Sequence, residues 1–262
     1  MKSVLDFKAR KGKARISMST AYANWEARFL AASPVDCVLV GDSVATVVDG
    51  EATTFSATPE IMARHTAAVS RGLAGAKLLI ADFPFLAARK GIAPAVECAA
   101  LLMRAGAHAV KIEGSDGHED VIRHLVQSGV PVIGHLGLTP QSVHALGGYK
   151  VQGKTEAAAA DLLRQARAIE GSGAFGLVLE CVPTEVAREI TAALSIPVIG
   201  IGAGPHTDGQ VLVFHDLLGL NPGFSPKFVR QFADGNKIVA GGLESFAAGV
   251  ADGSFPNKKE SY

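Results

Sequence analysis

Short blocks of consecutive apolar, mostly β-branched residues recur along the chain. Between them run longer stretches in which apolar residues return every third or fourth position. The blocks are residues 15–20, 35–40, 77–81, 109–112, 130–134, 175–179, 196–201 and 209–214. Several are apolar throughout rather than alternating, the pattern of strands buried on both faces of a parallel sheet. The intervening stretches carry helix-start punctuation. Thr58-Pro59-Glu60 reads as cap, first-turn proline and first-turn acid, opening a helix to about Leu73. Thr139-Pro140-Gln141 opens a short helix in the same way. Ala93-Pro94 begins one through Ala105, with Gly106 as its left-handed exit. Residues 118–128, 155–172 and 184–194 complete the interior set, each apolar near i, i+3 and i+4.

Strand and helix therefore alternate eight times with no composition break or linker. Right-handed crossovers allow an open doubly wound sheet or a closed barrel. Eight units in 262 residues fit an α/β fold of the (β/α)8 TIM barrel type. The expectation is one barrel domain over residues 1–262, with 227–254 as one or two outer C-terminal helices and 255–262 as a flexible tail.

Composition narrows the field. Lys+Arg and Asp+Glu both number 25, and the pI is near 7.1, which argues against nucleic acid or an anionic membrane surface as a partner. Three separated cysteines, Cys37, Cys98 and Cys181, offer no disulfide framework. The first twenty residues lack an apolar signal core, and no run approaches the ~18 residues needed to span a bilayer. A cytoplasmic protein is expected.

Polar residues gather where the apolar blocks end. Asp42 and Ser43 follow the second block, Asp82 the third, His135 the fifth and Glu180 the sixth, while Lys111 and Glu113 flank Ile112 at the end of the fourth. In a barrel all these ends open on one face. Taken singly, an Asp after a strand is often the cap of the next helix. That reading weakens for Asp42, whose followers, residues 43–50 (SVATVVDG), look strand-like, and for Asp82, which precedes Pro84 and Phe85. Lys111 and Glu113 lie two apart and point to one side. Val110 and Ile112 would face the helices, which sends the charged pair towards the barrel axis. A bare ion pair there costs several kcal/mol per charge in desolvation, so a third charged species is expected between them. Three carboxylates without Cys or several His favour Mg2+ over Zn2+: Asp42 and Asp82 as direct ligands, Glu113 through water. The glycines of 200–204 lack the last glycine of a dinucleotide turn, Pro205 standing in its place, and read as a tight turn or close approach at the mouth. Residues 147–153, Gly-Gly-Tyr-Lys-Val-Gln-Gly, read as a mobile loop rimming the site.

The longer motifs resemble the ketopantoate hydroxymethyltransferase family. They are Val40-Gly41-Asp42-Ser43, Ala81-Asp82-Phe83-Pro84, Val110-Lys111-Ile112-Glu113-Gly114, residues 134–142 (GHLGLTPQS), residues 147–153 and Leu179-Glu180-Cys181-Val182-Pro183. The resemblance implies a barrel of the phosphoenolpyruvate/pyruvate type and metal coordination by Asp42, Asp82 and Glu113. It implies a keto-acid site including Ser43 and Lys111, with Asp42, Asp82 and His135 around it, and Glu180 as proton acceptor. The implied reaction carries a hydroxymethyl group from 5,10-methylenetetrahydrofolate to 3-methyl-2-oxobutanoate through a Mg2+-stabilised enolate, giving 2-dehydropantoate for pantothenate and coenzyme A synthesis. A homo-oligomer, commonly a decamer, is implied as well. Two positions depart from the family: Val44-Ala45-Thr46 where Leu-Gly-Met is usual, and Ala23 where an Asp is frequent. The alternatives are another Mg2+-dependent carbon–carbon lyase of the phosphoenolpyruvate mutase/isocitrate lyase type, or a silent barrel used for binding or assembly.

Overall fold

The computed structural model describes residues 1–223 and 226–262. Its chain divides into two units, Met1–Leu212 and Val213–Tyr262. The first unit contains all eight strands: β1 Ile16–Thr20, β2 Cys37–Val40, β3 Leu78–Asp82, β4 Ala109–Glu113, β5 Val132–Gly137, β6 Gly176–Glu180, β7 Val198–Ile201 and β8 Gly209–Leu212. They are parallel and close in sequence order, β8 pairing with β1. Every apolar block forms its strand within two or three residues of the expected bounds. The helices of this unit are α1 Val4–Lys8, α2 Asn24–Ala32, α3 Val44–Val47, α4 Pro59–Leu73, α5 Ile92–Arg104, α6 Glu119–Gln127, α7 Glu156–Gly171 and α8 Thr184–Ala193.

Inward positions alternate along each strand, and they explain where the polar residues sit. Leu78 and Ile80 belong to the central apolar cluster, as do Ala109, Ile133 and Val178. Two residues further on the same faces come Asp82, Lys111 with Glu113 beyond it, His135 and Glu180. The barrel is thus apolar through its middle and polar at the carboxyl ends. Its amino end is plugged by Phe7 of α1, fully buried and edge-on to Phe175 at 5.2 Å.

Four local features differ from the sequence expectation. α1 and α2 lie in stretches where no helix was expected. The residues after Asp42 form α3 rather than a strand, since they immediately leave the sheet. Ala45 is buried there in right-handed helix, so replacing the family's glycine costs no backbone strain. The seventh connection, residues 202–208, contains no helix. It turns at Gly202 and Gly204, both at positive φ, and a Cβ on Gly204 would meet Thr184 Oγ1 at 2.5 Å. The last block stops at Leu212, because Phe214 begins a new helix.

α2 and α4 approach closely because Gly72 has no side chain; a Cβ there would run into the Asn24 carbonyl and Ala27. The departure at Ala23 bears on α2 directly. Ala23 is the N-cap and offers no side-chain acceptor, so Glu26 alone caps this end, accepting from Tyr22 N at 2.5 Å and Ala23 N at 3.0 Å. Ala23→Ser completes a Ser-x-x-Glu capping box, with an expected stabilisation of about 0.5–2 kcal/mol. Denaturant unfolding checks it: a shifted midpoint at constant slope is expected, and an unchanged midpoint refutes it.

The second unit contains α9 Phe214–Leu217 and α10 Gly235–Asp252. α10 exposes Ile238, Leu243, Phe246 and Val250. No helix among the described residues is long and apolar enough to cross a membrane.

Candidate active site

Six of the seven expected residues meet at the carboxyl end of the barrel in contacts of hydrogen-bond or ion-pair length, and the seventh, Ser43, lies next to Asp42. Asp82, Lys111, Glu113, His135 and Glu180 lie within strands rather than after them, and Asp42 follows β2. Lys111 is the hub. Its Nζ stands 3.1 Å from Asp82 Oδ1, 3.7 Å from Glu113 Oε1 and 3.1 Å from His135 Nδ1. His135 bridges onward, with Nδ1 3.2 Å from Glu113 Oε1 and Nε2 3.2 Å from Glu180 Oε2. The Asp42 amide donates to Asp82 Oδ2 at 3.1 Å. All these side chains are almost completely buried except Glu180, which is 18% exposed.

Ser43 opens α3, and its Oγ shares a 2.7 Å hydrogen bond with the hydroxyl of buried Tyr22. Burial raises the Tyr22 phenol well above its ordinary range, with the Ser43 contact acting against it. A Cβ at Gly41 would stand 2.6 Å from Ser43 Oγ, so a side chain there would displace the hydroxyl from this pair.

Three contributors went unseen in the sequence. Gln141 donates through Nε2 to Asp42 Oδ2 and to the Phe83 carbonyl, both at 2.8 Å, and through its amide to Glu113 Oε2 at 3.1 Å. Its partners lie up to 99 residues away, so no local pattern marks it. Tyr22 lies just past the first apolar block, where no strand-end polar residue was singled out. Tyr149, from the 147–153 loop, donates to the Ala52 carbonyl at 3.4 Å. Its phenol is raised by burial and then by the charges of Asp42 and Glu180.

The electrostatics are lopsided. Burial, then the charges of Glu113 and Asp82, push the Asp42 carboxyl well above the usual range. Asp82 is raised by burial against the pull of Lys111. Burial also opposes ionisation of Glu113, but His135, Lys111 and the Gln141 amide outweigh it and hold this carboxyl below its ordinary value. Burial works against charged Lys111, yet Asp82, Glu113 and Asp42 keep the ammonium firmly protonated. Burial and Lys111 oppose a charged imidazole at His135, but Glu113 and Glu180 lift it to about 9.

Sequence comparison places this site in a family. The sequence model described as ketopantoate hydroxymethyltransferase matches residues 2–258. The chain belongs to the ketopantoate hydroxymethyltransferase family. A relative named 3-methyl-2-oxobutanoate hydroxymethyltransferase, from Bdellovibrio bacteriovorus, is 53% identical over 263 residues, covering 100% of both chains. Among solved structures, a 2,3-dimethylmalate lyase of the PEP mutase/isocitrate lyase superfamily superposes with a TM-score of 0.63 at 18% identity, covering 100% of this chain and 92% of its own. A phosphonopyruvate hydrolase in complex with oxalate and Mg++ gives 0.62 at 14% identity, covering 99% and 93%. These two likenesses concern the fold. They support the expected barrel class, and the family membership is carried by the sequence relatives.

A hard divalent cation suits this donor set. Asp82 Oδ1 and Glu113 Oε1 are buried without a hydrogen-bond partner and have only the ion contacts described. Four carboxylates face two cationic groups, Lys111 and His135. The surplus negative charge is relieved either by a proton on Asp42, the direction in which its carboxyl is driven, or by a divalent ion. As the side chains stand, no three His, Cys, Asp or Glu among the described residues form a ready ligand group. Gln141 holds Asp42, and Lys111 holds Asp82. Two direct carboxylates suffice for Mg2+, which keeps several waters.

Proposed function

We propose that the chain is a 3-methyl-2-oxobutanoate hydroxymethyltransferase that takes its one-carbon unit from 5,10-methylenetetrahydrofolate and releases 2-dehydropantoate. The observation that carries this reading is a partly open carboxylate, Glu180, facing a buried ring of Asp42, Asp82, Glu113 and Lys111 at the barrel mouth. Asp42 and Asp82 would hold Mg2+, with Glu113 reaching it through water. When bound, the ion supplies Lewis acidity at the keto oxygen, worth several kcal/mol of charge stabilisation.

The protein's own groups do the rest. Lys111 pairs with the substrate carboxylate, which Ser43, held by Tyr22, also contacts. Glu180 accepts the C3 proton, and His135 fixes the position of that carboxylate. The C3 carbanion equivalent then attacks the methylene carbon; both carbon–nitrogen bonds to the carrier break, water supplies the hydroxyl oxygen, and tetrahydrofolate leaves with the C3 proton and one water proton on its two nitrogens. Gln141 keeps Asp42 in place through its side-chain Nε2 and Glu113 through its backbone N–H. A cytoplasmic setting suits the three unpaired thiols. The apolar row on α10 supports self-association into a homo-oligomer.

Solvent deuterium exchange at C3 of 3-methyl-2-oxobutanoate tests the reading directly. Exchange is expected with Mg2+ and no folate, and its persistence after exhaustive chelation would count against the metal assignment. Mg2+ titrated into the chain alone should raise the melting temperature. At a hundredfold excess over its Kd the stabilisation is ~2.7 kcal/mol. Asp82→Asn should suppress that rise, and an equal rise in the variant would move the ion elsewhere.

A further inference from the structure

We infer that Ile201, the last residue of β7, is the wall against which the branched alkyl end of the keto acid packs, and that it sets the size of the substituents the site accepts at C3; this assignment rests on the transferase reading above.

Alternation along the strand places the side chain. Ile199 belongs to the central apolar cluster, and Ile201, two residues further on and partly buried, packs against that cluster from the same face. Ile201 pairs in register with Glu180, so an apolar side chain and the base stand side by side at the mouth. Val211 flanks Ile201 on the other side, two residues past the Gly209 that pairs with Ile199. It is buried within the same cluster.

The mouth is therefore divided. Its inward residues are Asp82 on β3, Lys111 and Glu113 on β4 and His135 on β5, all charged or polar, whereas β7 contributes Ile201. Glu180 on β6 is the boundary between the two arcs. A 2-oxo acid with a branched alkyl group carries the same division within one small molecule. Its carboxylate and keto oxygen match the charged arc. Methyl groups laid there would strip water from buried charges and return no hydrogen bond. Turned the other way, the methyls meet Ile201, and C3, between the two ends, comes opposite Glu180. Backbone fixes the spacing of base and wall, since Cys181 N donates to the Ile201 carbonyl at 2.8 Å. Gly202 follows at positive φ and turns the chain away with no side chain of its own to share the role.

An apolar wall held in place discriminates by volume: one methylene more or less against such a surface is worth roughly 10–200-fold in kcat/KM. The test measures solvent deuterium exchange at C3, with Mg2+ and without folate, on the full chain, Ile201→Ala and Ile201→Phe. Three acids are compared: 2-oxobutanoate, 3-methyl-2-oxobutanoate and racemic 3-methyl-2-oxopentanoate. The space vacated in Ile201→Ala should raise efficiency with 3-methyl-2-oxopentanoate, relative to 3-methyl-2-oxobutanoate, by at least about tenfold. Ile201→Phe should move the preference the opposite way, towards 2-oxobutanoate. General damage to the barrel slows all three acids together and leaves their ratios alone. A ratio that moves less than tenfold in Ile201→Ala therefore overturns the assignment, as does a shift of the same sense in Ile201→Ala and Ile201→Phe; both leave the transferase reading intact. A parent chain that exchanges none of the three acids refutes that reading and this one with it. Should Ile201→Phe not fold, Ile201→Val replaces it, with a smaller shift of the same sign as Ile201→Ala expected and the reverse sign refuting the assignment.

Discussion

Glu180→Gln is expected to slow C3 proton exchange by roughly 10²–10⁴, the usual contribution of a positioned general base, while keto-acid affinity changes only a few-fold. The separation follows from geometry. Glu180 is the last inward residue of β6, and among the described residues its side chain pairs with His135 Nε2 at 3.2 Å. It touches neither Asp42 nor Asp82, so the amide leaves the carboxylate ring and Lys111 as they are. Gln also preserves the shape of the side chain. A second readout distinguishes loss of a base from loss of structure. Glu113 and Glu180 together hold the His135 imidazole up at about 9; removing one of the two charges weakens that hold, so the imidazole should titrate at lower pH in the variant, as seen by NMR. Exchange at the parent rate would remove Glu180 from the base role.

The barrel was legible because its strands are buried on both faces and read as apolar runs, and because Thr58 and Thr155 mark helix starts by their own chemistry. Their hydroxyls do accept from Ile61 N and Ala158 N. α3 was misread because Val44–Val47 is a β-branched, apolar run. Its helix is fixed by the chain turning off the sheet at Gly41 and Asp42, a tertiary cause that overrides propensity. The missing seventh helix has the converse origin: glycines at 202 and 204 permit a short return that a pattern of eight repeats hid. In the site, two-residue alternation on β4 located Lys111 and Glu113 correctly, since that rule is local. Gln141 escaped because its contacts depend on partners just after β2 and on β4 that only closure of the barrel brings near.

Lys111→Met should destabilise the fold by about 3–5 kcal/mol, the range for removing one partner of a buried ion pair. Methionine fills the space of the aliphatic stem but leaves Asp82 Oδ1 buried without its ammonium and Glu113 Oε1 with His135 Nδ1 alone. The pH dependence follows from the sign of the shifts. Asp82 already has a raised carboxyl, and losing the ammonium that lowers it raises it further. The folded state then binds more protons than the unfolded chain between the unfolded value, ~3.9, and the folded one. Stability lost at neutral pH should therefore return as the pH falls through that folded value. Asp82→Asn in the same background removes the orphaned charge outright, so the double variant should be more stable than Lys111→Met alone, and a thermodynamic cycle measures the coupling. A Lys111→Met protein with parent stability at neutral pH, insensitive to acidification, would mean that these carboxylates are not charged together. The electrostatic case for a divalent ion among them would then fail too, because it rests on the same surplus of negative charge.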